Sequence, residues 1–192
     1  MAKGAFFKKR LVRGLLAGLL TALVIGAGFY WQSLRQPIVL YTGAPEQRAF
    51  IEKIFKDDWY LLVSERSDFE LAFMLDNRIS RKTDPDMPLH TMKLYKTPEG
   101  GYGAFAAYYH PYMHQQGHAL FLFLVVDKDA RGKGYGRALL AQALQELKKD
   151  GCTSVELAVR EENTAAQALY KSFGFYEYTR DGGFLRMKRL LL

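Results

Sequence analysis

The chain contains one cysteine, Cys152, in 192 residues. That excludes an intrachain disulfide, a CxxC redox pair and a thiolate zinc cluster, and leaves the residue to be read as a small buried hydrophobe. Histidine is scarce as well. His110, His114 and His118 stand at i, i+4, i+8, which would align them on a helix, but Pro111 and Gly117 argue against a helix there, so no metal site is expected. Acidic residues are missing from one end. Residues 1–36 hold six basic groups (Lys3, Lys8, Lys9, Arg10, Arg13 and Arg35) and no acid, so the formal charge of +7 is local, and the rest of the chain carries 21 basic against 20 acidic residues. Binding driven by phosphate-backbone charge therefore loses its support, and no nucleic-acid partner is expected. There is no internal repeat and no low-complexity tract. With 49% hydrophobic and 24% charged residues, neither wholesale disorder nor a multi-span membrane protein fits, and the length suits one domain with a short appendage.

The appendage is residues 1–36. Eighteen residues, Gly14 to Trp31, carry no charge and are apolar around the whole helical circumference apart from Thr21. As a helix they cover roughly 27 Å, close to the hydrocarbon thickness of a bilayer, with Phe29, Tyr30 and Trp31 as an aromatic interfacial end. The expectation is a single N-terminal transmembrane helix spanning 14–31 that anchors the chain to a membrane. A cleaved secretory signal, suggested by the small Gly26, Ala27 and Gly28, and a buried core helix are the alternatives. Five basic residues before the span and Arg35 after it place the following domain outside the cytoplasm by charge bias.

Residues 37–192 read as an α/β domain. Ile38–Tyr41 reads as a strand, Ala44–Tyr60 and Asp68–Ile79 as helices, and 81–88, with two prolines among charges, as loop. The period then changes to two. Thr91–Lys96 and Tyr102–Tyr109 make a hairpin around Pro98–Gly101. Ala119–Val126 is continuously apolar, as expected of a central strand covered on both faces. Ala138–Lys149 is a helix stopped by Gly151, Ser154–Val159 a strand, Asn163–Phe173 a helix ended by Gly174, and two short strands flank Asp181–Gly183. The predicted order is β-α-α-β-β-β-α-β-α-β-β, with a mixed central sheet.

Two motifs carry the chemistry. Residues 126–137 read VDKDARGKGYGR: a buried strand ends, three alternate glycines follow and a helix begins. Backbone amides freed by glycine at a helix N-terminus cradle an anionic phosphate, although the run is neither the Rossmann GxGxxG nor the P-loop GxxxxGK[ST]. A plain glycine-rich turn is the bland alternative. Downstream, Asn163, Ala166, Leu169, Tyr170, Gly174 and Phe175 stand as NxxAxxLYxxxGF, where Tyr170 alone, on an apolar helix stripe, reads as core before it reads as catalyst.

Together, in residues and in spacing, the two motifs resemble the GNAT superfamily of acyl-CoA N-acyltransferases, strongly over Leu120–Phe175 and weakly before it; the second is similar to the branch that acetylates protein N-termini. The resemblance implies a GNAT fold, acetyl-CoA as co-substrate, and transfer of acetyl to a primary amine by direct attack in a ternary complex. It implies that Leu124 and Val126 pair with the pantetheine arm and that the loop Arg131, Gly132, Lys133, Gly134, Tyr135, Gly136 and Arg137 holds the pyrophosphate, with Arg131, Lys133 and Arg137 adding charge. It implies further that Asn163 contacts or orders the cofactor site and that Tyr170 is the general acid for the leaving thiolate.

The general base departs from the family pattern. The glutamate of that branch falls on Ala158 and the carboxylate of other branches near Leu120, and neither position is acidic. Glu156 and His118, acting through water, are the candidates, and surface roles are their alternatives. The aromatic group Tyr108, Tyr109, His110, Pro111, Tyr112 and His114 reads either as an acceptor pocket or as an aromatic strand edge. The missing carboxylate keeps open a catalytically silent fold that senses an acyl-CoA or peptide, or docks a partner at a membrane. Because acetyl-CoA is cytosolic in that family, a cytoplasm-facing domain is expected despite the charge bias.

Overall fold

Apolar periodicity of two and of 3.6 alternates along this chain, and among the described residues it resolves into seven strands on one sheet and three helices of more than one turn. The computed structural model describes residues 37–62, 75, 90–110 and 117–191. The membrane anchor expected over 14–31, the loop at 81–88 and residues 111–116 lie outside these residues, as does the helix expected at 68–79 except for Leu75, which is helical and buried. Among the described residues no helix is long and apolar enough to cross a membrane. Ile38–Leu192 groups into one unit, separate from Met1–Pro37.

The strands are β1 (Ile38–Leu40), β2 (Thr91–Lys96), β3 (Tyr102–Tyr109), β4 (His118–Val126), β5 (Ser154–Arg160), β6 (Tyr176–Asp181) and β7 (Phe184–Leu190). The helices are α1 (Pro45–Leu62), α2 (Tyr135–Lys149) and α3 (Thr164–Ser172), and a 3₁₀ turn at Lys128–Ala130 follows β4. The sheet runs β1-β2-β3-β4-β5-β7-β6; β4 and β5 are parallel and every other neighbour pair is antiparallel, so it is mixed.

Each helix shows one apolar stripe to the sheet. On α1, Ile51, Ile54 and Phe55 are buried against Leu94, Phe105, Phe123 and Val125, with the Phe55 and Phe123 rings edge to face at 5.4 Å. On α2, Leu139, Leu140, Ala143, Leu144 and Leu147 fill the opposite face against Phe121, Val155, Leu157 and Met187. A half-buried carboxylate ties α2 to the hairpin: Glu146 accepts from Lys93 with both carboxylate oxygens, from Gln142 at 2.9 Å and from the Tyr108 hydroxyl at 3.1 Å. Helix α2 begins at Tyr135, earlier than the sequence pattern predicts, because its first turn is built from the last glycine of the loop. Tyr108 and Tyr109 sit in the sheet core, the first stacked on Phe121 and the second edge-on to His90, which is the strand role and not the acceptor-pocket one.

Strand β4 departs from the expectation of two covered faces. Its burial alternates, with Leu120, Leu122, Leu124 and Val126 only half buried. In its pairing with β3, Ala107 faces Phe123 and Tyr108 faces Phe121, so Leu122 has no opposite residue and forms a bulge. One extra residue reverses the alternation: Ala119 and Phe121 pack with α2, and Phe123 and Val125 pack with α1. Just there β5 leaves β4, since their pairing covers only His118–Phe121 against Ser154–Leu157. The half-buried residues line the gap.

Candidate active site

The gap between β4 and β5 is the mouth of a cavity of about 500 Å³. Its walls are Leu120–Val126 of β4, Arg131, Gly132, Gly134, Tyr135 and Gly136 of the loop and first turn of α2, Asn163, Ala165, Ala166, Leu169 and Tyr170 of α3, and Ala158, Val159, Phe184 and Arg186 of β5 and β7. Residues from both sequence motifs therefore face one space.

The loop geometry explains its glycines. Gly132 and Gly134 have φ of 78° and 82°, which a side chain disfavours, and nothing lies within 4 Å of where their Cβ atoms would be. Gly136 is different. A Cβ there would stand 3.0 Å from Val126 Cγ2, so its role is close approach of helix to strand. Asp127 anchors the loop entrance: its N–H donates to Gly103 O at 2.9 Å, and its carboxylate accepts from Asp129 N at 3.2 Å and from Lys53 Nζ at 2.6 Å. Burial works against the charge on Asp127, but the Lys53 and Asp129 hydrogen bonds outweigh it and hold its carboxyl below the usual range. The result is a braced loop with open amides at a helix N-terminus, which fits an anionic phosphate. The exposed backbone of the far half of β4 fits an extended arm carrying amides.

The expected cofactor residues are not all used alike. Leu124, Val126, Arg131, Gly132, Gly134, Tyr135, Gly136 and Asn163 line the cavity. Arg131 donates from Nε to Val126 O at 3.3 Å. Lys133 does not line it, and Arg137 is engaged elsewhere: Nη2 donates to Ser172 Oγ at 3.0 Å, and the guanidinium lies 5.1 Å from the centre of the Phe173 ring. Asn163 caps α3 by accepting from Ala166 N at 3.1 Å, which orders the wall beside it. Tyr170 is 6% exposed, packs edge-on to Phe175 at 5.8 Å and reaches the cavity, and burial pushes its phenol above the usual tyrosine value.

Glu156 and His118 stand outside the cavity wall. Glu156 shares a strand face with Ala158, and it accepts from Lys188 at 3.1 Å and from the Tyr178 hydroxyl at 2.9 Å, while His118 Nε2 lies 3.6 Å away and His118 Nδ1 meets Ser154 Oγ at 2.8 Å. Partial burial disfavours the Glu156 charge, but those partners outweigh it and hold its carboxyl below the usual range. Cys152 lies just before β5 and is buried, its thiol pushed up to about 11 by burial. No group of residues that would hold a metal ion occurs among the described residues. Phe184 and Arg186 were invisible in the sequence: only the antiparallel register, which sets Arg186 beside Ala158, brings β7 to this wall.

Comparison with known proteins agrees with this geometry. A family model described as the acetyltransferase (GNAT) family matches residues 48–175. The [ribosomal protein bS18]-alanine N-acetyltransferase of Escherichia coli K12 is 48% identical over 56 residues, which covers 29% of this chain and 38% of that protein. A mycothiol acetyltransferase of Renibacterium salmoninarum is 32% identical over 100 residues, 52% of this chain and 25% of that one. The chain thus spans well under half the length of these curated relatives. Among solved structures, a ribosomal-protein-alanine N-acetyltransferase from Brucella melitensis matches with a TM-score of 0.59 at 21% identity, covering 80% of this chain and 98% of that one. The yncA protein of Salmonella typhimurium, solved with its cofactor acetyl-CoA, matches with a TM-score of 0.61 at 16% identity over 80% and 92%. With two thirds of its length matched by the family model and the family's fold around its cavity, the chain belongs to the GNAT acetyltransferase family.

Proposed function

We propose that this protein transfers an acetyl group from acetyl-CoA to a primary amine by direct attack in a ternary complex. The observation that carries the reading is the single cavity in which the glycine loop, the free half of β4 and the Tyr170 side chain meet. The loop amides at Gly132 and Gly134, with Arg131, hold the pyrophosphate, and Leu124 and Val126 offer backbone groups to the pantetheine arm. Gly136 and Tyr135 keep helix and strand close enough for both to act at once. In the transfer, a carbon–nitrogen bond forms as the carbon–sulfur bond breaks. Tyr170 supplies the proton that the departing sulfur takes, a role suited to a phenol kept protonated by burial.

The proton lost by the amine leaves through water to Glu156 or His118, since Ala158 provides no carboxylate inside the wall. Separate Glu156→Gln and His118→Asn variants identify the relay, because its loss removes the acidic limb of the pH profile of kcat/KM. The curated relatives described above are a [ribosomal protein bS18]-alanine N-acetyltransferase and a mycothiol acetyltransferase, and the acceptor proposed for this chain is a primary amine.

Tyr170→Phe tests the assignment. It keeps the packing on Phe175, so the acetyl-CoA affinity measured by calorimetry should hold, while kcat for thiol release falls by roughly 10² to 10⁴. Equal turnover by the two proteins across pH 7 to 9 would return Tyr170 to the core. We infer that the charge-free run of 14–31 tethers this activity to a membrane with the domain facing the cytoplasm; digestion of the domain by protease added to intact spheroplasts would refute that orientation.

A further inference from the structure

The side chains of β5 divide between two faces. Val155, Leu157 and Val159 pack among the residues of α2 and α3, so Glu156, Ala158 and Arg160 point to the other face. Their cross-strand partners on β7 are Lys188, Arg186 and Phe184, which share that face. The charges there are matched except at one place. Lys188 is neutralised by Glu156, and Arg160 lies over the Phe184 ring at 4.7 Å with Glu162 3.9 Å from Nη1. Arg186 lines the cavity, is exposed to it, and makes no ion pair or hydrogen bond among the described residues. The residue directly opposite, Ala158, is neutral and small, so about 5 Å across the strand gap there is room and a cation but, among the described residues, no anion.

We propose that the acceptor is an acidic amine, whose carboxylate or other anionic group pairs with Arg186 in the space above Ala158. The proposal rests on the acetyl-transfer reading and specifies its substrate class. Arg186 stands on the wall away from α3, opposite Tyr170, so an acceptor gripped there presents its amine toward the gap between β4 and β5 from the free face. The guanidinium fork suits a planar anion, and a charge-assisted contact of this kind is worth roughly ten- to hundred-fold in kcat/KM.

The test uses pairs of primary amines that differ only in a carboxylate or its amide: an α-amino acid against its amide, and a tripeptide amide with Glu or Gln as second residue. The full chain should use the acid of at least one pair ten-fold better or more. Arg186→Gln should bring that ratio close to one and Arg186→Glu should reverse it, with the KM for acetyl-CoA unchanged. Equal use of acid and amide by the unaltered protein, with turnover intact, overturns the acidic-acceptor proposal alone. A loss in Arg186→Gln that falls on the KM for acetyl-CoA also overturns it, by assigning Arg186 to the donor. Absence of acetyl-CoA binding by calorimetry, or of turnover with every amine, overturns the acetyl-transfer reading and this proposal with it.

Discussion

Gly134→Ala isolates the backbone requirement of the loop. Gly134 has φ of 82° and precedes α2, and no atom lies within 4 Å of an added Cβ, so the substitution adds strain without a clash. Holding an L side chain in the left-handed region costs about 1 to 2 kcal/mol. For a domain of this size that lowers Tm by about 2 to 8 °C. Gly134→Asn should cost less, because asparagine enters this region more readily. If the loop instead relaxes, one amide turns from the cradle, and loss of a charge-assisted hydrogen bond weakens acetyl-CoA by roughly ten- to hundred-fold. Gly134→Glu adds bulk and like charge at the same point and should abolish binding in a folded protein. Thermal unfolding gives the first comparison and calorimetry the second. Alanine and asparagine variants that melt with the unaltered protein would refute the strain argument, and unchanged acetyl-CoA affinity in folded Gly134→Glu would refute the cradle.

Lys53→Met removes the partner that depresses the Asp127 carboxyl. A carboxyl whose folded pKa is lowered stabilises the fold above its ordinary value and loses that contribution as pH falls through the lowered one, so the two proteins should differ at pH 7 and converge below about pH 4 in urea unfolding. A constant difference down to pH 3 would count against the pairing. Cys152 is 3% exposed and its thiol is pushed up to about 11, so iodoacetamide at pH 8 should label it only after guanidinium unfolding. Prompt stoichiometric labelling of the native protein would contradict its burial.

Local signals carried most of the described fold. Period-two and period-3.6 patterns placed the strands and helices within a few residues, and residues of both motifs, Arg131, Gly132 and Gly134 from one and Asn163, Ala166 and Tyr170 from the other, line one cavity. What was not legible depends on register. The Leu122 bulge lies inside ALFLFLVV, where every residue is apolar and no pattern marks a change of face. Arg186 looks like one more surface charge among Arg186, Lys188 and Arg189 until β7 pairs with β5. The same holds for Lys53 and Asp127, which lie 74 residues apart in sequence. Nor does the sequence show that Ser172 and Phe173 draw the Arg137 side chain to α3.

The short ladder between β4 and β5 divides the sheet into two panels. One panel is β1 to β4 and the other is β5 with β7 and β6; along the sheet they are joined by four residue pairs at one end, and α2 packs under both. A seam closed at one end and open at the other works like an unfinished zipper, and an extended ligand arm lying along β4 supplies the missing teeth. Occupancy then has a mechanical meaning as well as a chemical one. The core under α2 runs beneath both panels, so the seam opens only at the sheet, and amides from Leu122 to Val126 should gain hydrogen-exchange protection when acetyl-CoA is bound.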